Sequence, residues 1–195
     1  MDTFRYVVGL LLVIGLPPGL TWWLLVHPFV GFWRRAGVRL TMVCMTLYFV
    51  ATIGGLILVR RTLMGPDLGK CLPLMTAGVV LFLAGIFIGV RRKKYLTGRI
   101  LAGVPEVHSD RDKQGELLDE GPYAVIRHPR YVEIAVLNVA YAAMANYAGP
   151  YVFALLAFPL LHLVVLLEER ELLDRFGDAY REYCERVPRY LPRWR

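Results

Sequence analysis

Cysteine is scarce in this chain. Cys44, Cys71 and Cys184 are odd in number, far apart and form no CxxC pair, so neither a disulfide framework nor a zinc site is indicated. Acidic residues are in deficit, 16 against 23 Lys and Arg, giving a formal net charge of +7. That excess does not read as a nucleic-acid surface, because the basic residues flank apolar runs and are not interleaved with exposed aromatics; topology and anionic headgroups account for it better. The apolar runs lack the period-2 alternation of barrel strands, and no internal repeat or low-complexity tract is visible. No small-residue cleavage pattern follows the N-terminal MDTFRYVVGLLLVIGL, whose apolar run continues past Pro17-Pro18 to Val26. A retained anchor is therefore expected in place of a cleaved signal.

What the chain has in abundance is apolar side chain: 56% hydrophobic residues and a mean hydropathy of +0.46 over 195 residues. A soluble domain of this size could not bury so much, and the excess must face lipid. Backbone amides find no water partner in hydrocarbon, so spans built from these runs should be helices. The expectation is an all-α, polytopic integral membrane bundle of about five transmembrane helices: Phe4 to Val26, Val38 to Val59, Leu72 to Val90, Tyr131 to about Tyr147, and Pro150 to Leu167. Pro17-Pro18-Gly19 interrupts the first span and predicts either a kink or a split. Asn146-Tyr147-Ala148-Gly149-Pro150 has the turn chemistry of a tight hairpin between the last two. Trp22, Trp23 and Trp33 read as interface anchors, while His27 and His162 lack any second ligand at metal spacing.

Five spans put the termini on opposite sides. One side then receives 19 Lys and Arg, among them nine between Arg91 and Arg130, and the other only Arg5, Arg60, Arg61 and Lys70. The positive-inside rule predicts a cytosolic 91–130 loop and C-terminus, with the N-terminus outside; in a prokaryote the membrane would be the plasma membrane. Residues 1–90 form an N-terminal set of helices and 91–195 a catalytic region, within one structural domain. The 91–130 loop, with its polar centre His108 to Gln114, is too long for an idle connector.

Two constellations on that side carry chemistry. Gly121-Pro122-Tyr123 and Arg127-His128-Pro129-Arg130-Tyr131 lead into the fourth span, with Pro129 at the first helical position where its missing N–H costs nothing; read blandly, the arginines anchor headgroups. Glu168-Glu169 sits where the fifth span leaves hydrocarbon and runs into an amphipathic helix with Leu172, Leu173, Phe176, Tyr180, Tyr183 and Val187 on one stripe. Two adjacent carboxylates there are costly unless paired. Neighbouring helix positions point about 100° apart, so the two glutamates should have different roles.

The order GPY, RHPRY, an apolar hairpin, EE, FGDAYREY and VPRYLP resembles the isoprenylcysteine carboxyl methyltransferase and phospholipid methyltransferase superfamily, over roughly Leu117 to Pro192. The resemblance implies an S-adenosylmethionine pocket on the cytosolic side and a lipid or lipid-like methyl acceptor. It implies that Glu168 or Glu169 binds the cofactor's ammonium or ribose, that Arg127 and His128 serve its carboxylate, and that Tyr123 and Tyr131 pack on the adenine or sulfonium. The backbone at Leu117, Leu118 and Gly121 would lie near the adenine, and Pro129 would set the turn. Glu168, Glu169, His128 and Arg127 are the candidate catalytic residues, His128 or a Glu taking the proton if the acceptor is an amine. The pattern departs in two places. Glu133 stands where the family more often has a small residue, to contact substrate or pair with an Arg; Val164 stands where the prenylcysteine enzymes carry an Arg for the acceptor carboxylate. Two other readings compete: an NADPH-dependent membrane sterol-type reductase, whose pattern usually lacks EE and the FGxxYxxY tail, and a non-catalytic membrane scaffold.

Overall fold

A computed structural model describes residues 2–95 and 116–193. It contains helices α1 (Thr3–Val26), α2 (Val30–Leu58), α3 (Arg60–Met64), α4 (Leu72–Lys93), α5 (Pro129–Ala145), α6 (Ala148–Phe176) and α7 (Asp178–Arg186). Short 3-10 turns lie at His27–Phe29 and Gly121–Ala124. The fold is an all-α membrane bundle. Three helical stretches are long and apolar enough to cross a membrane: residues 3–58, which hold both α1 and α2, then α4 and α6. Outward-facing Leu47, Val80, Leu83 and Leu155, all more than half exposed, make an apolar surface that suits lipid and not water.

α1 runs unbroken through Pro17 and Pro18, so the interruption is not a split. The two prolines cannot donate to the carbonyls one turn back, and the Thr21 hydroxyl bonds the Pro17 carbonyl. The break lies in α2 instead, where Gly37 adopts φ 80°, ψ 161°, a backbone state that disfavours any residue with a Cβ. The helix restarts at residue 38, where the second span is expected. Trp22 is not an interface anchor: it is buried and packs against the Trp33 and Tyr48 rings at 5.3 and 5.6 Å, pinning α1 to α2.

α5 is 17 residues long, about 25 Å at the helical rise. It is enclosed by α4, α1 and α6, so the fourth expected span exists as a short helix sheathed largely by protein. Its Ala140, Ala142, Ala143 and Ala145 are buried. Gly78 and Gly85 of α4 let α5 approach so closely that a Cβ would sit 2.6 Å from Met144 and Leu137, respectively. Small residues at the contact are how membrane helices gain van der Waals packing without a hydrophobic driving force.

At the end of the bundle away from the basic loops, buried Arg5 donates to the carbonyls of Ala145 and Asn146, each at 3.0 Å, and pairs with Asp67. Asn146 takes the left-handed conformation that ends α5. Gly149 then passes against the Leu63 carbonyl, where a Cβ would lie only 1.8 Å from the oxygen. Because that neighbour is backbone, Gly149→Ala should cost about 1–3 kcal/mol through forced displacement, read as a lowered thermal unfolding midpoint in detergent.

The opposite end is tied by His27. Its ring stacks on Trp23 at 5.1 Å, and its Nδ1 lies 3.3 Å from the buried Glu171 carboxylate, which also accepts from Arg34 at 3.0 Å. This fixes the α1–α2 corner to α6 one turn from the Glu168-Glu169 pair.

Candidate functional site

The sequence Glu120-Gly121-Pro122-Tyr123 makes a turn that only glycine permits. Gly121 has φ 57°, and a Cβ there would lie 2.3 Å from the Tyr95 ring. The turn buries Tyr123, whose carbonyl accepts from the Tyr183 hydroxyl at 2.7 Å. Burial pushes the Tyr183 hydroxyl well above the ordinary tyrosine range, so it remains a donor and holds α7 against the turn. Leu117 packs on the same side, with Tyr180, Tyr183 and Val187; Leu118 is half-buried beside it.

Arg127 and His128 follow in an irregular stretch that pairs with the C-terminal tail: the Arg127 and His128 amides donate to the carbonyls of Pro188 and Arg189 at 2.8 and 3.2 Å. Pro129 opens α5, as its position predicts. The VPRYLP segment is therefore part of the site's wall. Tyr190 donates to or accepts from His162 Nδ1 at 2.8 Å, and its ring lies 6.3 Å from that of His128.

The two glutamates diverge as their helical spacing requires. Glu169 is a hub: its Oε1 accepts from Arg127 Nη2 at 2.9 Å and Arg189 Nε at 3.0 Å, lies 3.1 Å from His128 Nε2, and its Oε2 pairs with Arg189. Arg127 Nε also donates to Glu169 Oε1 at 3.2 Å, and its Nη1 donates to the carbonyls of Cys184 and Val187 at 2.9 and 2.8 Å. Each nitrogen of that guanidinium thus has a partner in the chain itself. Glu168 is the reverse. Its Oε2 is buried without a hydrogen-bond partner among the described residues, 3.9 Å from His128 Nδ1. A buried carboxylate oxygen with nothing to accept from is costly.

Glu133 meets an arginine: its Oε2 accepts from Arg92 Nε at 2.8 Å, and the closeness is possible because Gly89, with no Cβ, faces it. Tyr131 is buried, its ring edge-on to His128 at 5.7 Å. Below it, an apolar cleft of about 270 Å3 runs between α1, α5 and α6, lined by Leu16, Leu20, Trp23, Tyr131, Asn138 and Val164, with Arg130 also on its lining. Val164 is fully buried. His108 to Gln114 lie outside the described residues.

Arg127, His128, Pro129, Tyr131, Glu168 and Glu169 thus come together at one end of the bundle, with Gly121 and Tyr123 in the adjoining turn. Two residues had not been singled out. Arg189 was visible only as part of the VPRYLP motif, and Arg92 only as one of four consecutive basic residues. Nothing local marks either as a partner of a carboxylate some 20 or 41 positions away.

No family model matches the chain. Among curated proteins, it is 40% identical over 73 residues to methanethiol S-methyltransferase 1 of Bradyrhizobium diazoefficiens, covering 37% of this chain and 25% of that protein. It is 31% identical over 87 residues to protein-S-isoprenylcysteine O-methyltransferase of Schizosaccharomyces pombe, covering 44% and 37%. A delta(14)-sterol reductase of Mus musculus is 31% identical over 80 residues, covering 40% and 19%. The matches span between a fifth and two fifths of these relatives. Two methanethiol S-methyltransferases and two isoprenylcysteine O-methyltransferases stand among the matches, so the matched part of the chain is similar to membrane methyltransferases, in keeping with the resemblance of its motifs.

Proposed function

We propose that this chain is an S-adenosylmethionine-dependent membrane methyltransferase that acts on a lipid or lipid-like acceptor, with residues 91–195 as its catalytic region. The observation that carries this reading is the buried Oε2 of Glu168, without a hydrogen-bond partner among the described residues, beside the His128 ring and near an apolar cleft lined by Tyr131 and Val164. A carboxylate in that state calls for a cationic or donor ligand, and the cofactor's ammonium or ribose hydroxyls are such groups. The residues therefore fit the cofactor. When bound, it would supply a methyl carbon activated by its sulfonium.

The chain's own part is alignment and exclusion of water. Glu169 holds Arg127, His128 and Arg189 in one cluster, which fixes the start of α5 against the tail and so sets the direction of Glu168. Tyr123 and Tyr131 offer aromatic surface that tolerates a cation. The cleft beneath would take the acceptor's apolar body, entering sideways from the bilayer. Val164 on its wall leaves no cation at the place where prenylcysteine enzymes carry one, which argues against a prenylcysteine carboxylate as the acceptor. By the distribution of Lys and Arg, the site end faces the cytosol and the Arg5–Asp67 end faces outward.

Calorimetric titration of the detergent-solubilised chain tests the reading. Saturable binding of S-adenosylmethionine with none of NADPH is expected. Binding of NADPH alone would move the assignment to the reductases among the relatives, and binding of neither would leave a scaffold.

A further inference from the structure

Each nitrogen of Arg127 already has a partner in the chain, so another cation is better placed to receive the carboxylate of an amino-acid ligand at this site. Arg92 is placed to supply it. It is buried on α4, its Nε is held by Glu133, and its Nη1 has no hydrogen-bond partner among the described residues. One turn before it, Gly89 touches Glu133 on α5; three residues after it, the Tyr95 ring covers Gly121. Arg92 therefore stands between the Gly121–Ala124 turn and the first turns of α5, on the same side as Tyr123. Consistent with this, the charges of Arg92, Glu168, Arg130 and Glu133 all act on the Tyr123 hydroxyl.

Two side chains of opposite sign at one end of α5, Arg92 buried and Glu168 part-buried, thus each keep one buried atom without a hydrogen-bond partner among the described residues. Glu168 adjoins His128 and Arg92 adjoins Glu133, five positions apart or about 7 Å along the helix axis. A lone cation or anion would satisfy only one of them. A zwitterion satisfies both. We propose that Arg92 and Glu168 form a two-point clamp for an α-amino acid moiety, Arg92 binding the carboxylate and Glu168 the ammonium. The clamp rests on the cofactor reading above and adds Arg92 to it, with Glu133 as the residue that positions the guanidinium. It accounts for the glutamate that departs from the family pattern.

The test is discrimination between S-adenosylmethionine and its decarboxylated analogue, measured by calorimetry on the full chain. The wild-type chain should bind the complete compound about tenfold or more tightly over the analogue, the effect of one charged hydrogen-bonded contact. Arg92→Gln should bind both about equally, with the analogue's affinity unchanged, whereas Arg91→Gln, an exposed neighbour on the same helix, should keep the wild-type preference. Because Arg92→Gln strands Glu133, the paired variant Arg92→Gln/Glu133→Gln is measured beside it and should show the same loss of discrimination. Undiminished discrimination in both Arg92 variants overturns the clamp while leaving the cofactor reading intact. Failure of the wild-type chain to bind either compound overturns the cofactor reading and the clamp with it.

Discussion

Glu168→Gln should weaken S-adenosylmethionine binding by about tenfold or more and leave the unfolding midpoint unchanged or slightly raised. The two parts of this expectation have one cause. Glu168 Oε2 has no hydrogen-bond partner among the described residues and meets His128 Nδ1 only at 3.9 Å, so its charge contributes little to the fold while the buried oxygen carries a desolvation cost, lessened because the side chain is 28% exposed. Replacing it with a neutral amide of the same shape removes that cost. A cationic ligand loses a charge-assisted contact of about 1.5–3 kcal/mol, which is the affinity loss expected. Calorimetric affinity and thermal unfolding on the same preparation separate the two effects. Unchanged affinity in this variant would remove Glu168 from the site.

Glu169→Gln should behave in the opposite manner, unfolding the site instead of merely weakening it. Its carboxylate faces Arg127, Arg189 and His128, with side chains largely buried except that of Arg189, which is about one-third exposed. Removing the charge leaves Arg127 buried without its counter-ion, and breaking a buried pair in this way costs about 3–5 kcal/mol. Arg189 contributes less than its short contacts suggest, because solvent screens it; Arg189→Gln should cost about 1 kcal/mol. A large drop in the unfolding midpoint of Glu169→Gln, with a smaller one in Arg189→Gln, is the expected pattern. Wild-type stability with selective loss of cofactor affinity in Glu169→Gln would instead make Glu169 a ligand group.

Between them, the two variants assign different roles to neighbours in the chain. The helix geometry that separates them by about 100° made a difference expected, yet it gave no indication of which glutamate was which. The answer depends on the C-terminal tail. Arg189 reaches Glu169 only because the Pro188 and Arg189 carbonyls pair with the amides of Arg127 and His128, an association across about 60 residues.

Much of the fold was legible from local pattern. Apolar runs of membrane length had to become helices because hydrocarbon offers the backbone no other hydrogen-bond partner, and the starts of α4 and α5 at Leu72 and Pro129 follow from where charge and proline fall. Proline was the weaker guide within α1, since the loss of two amide donors did not break the helix, which runs on through Pro17 and Pro18. The break at Gly37 was hidden because glycine within an apolar stretch is compatible with helix, turn or close packing. Trp22 was misplaced for a related reason: an aromatic near a helix end suits an interface equally well until a partner such as Tyr48 is known.

The sequence by itself determined that the chain is a helical membrane protein, where its helices run, and which motifs meet at one end, because these depend on side-chain type and spacing within a turn or a span. Tertiary structure decided which charged groups are met within the fold and which keep an unmet atom. Arg127 and Glu169 are engaged in contacts between distant segments, while Glu168 and Arg92 each keep an atom unsatisfied among the described residues. That distinction is a matter of where partners stand in space, and residue type alone carries no record of it.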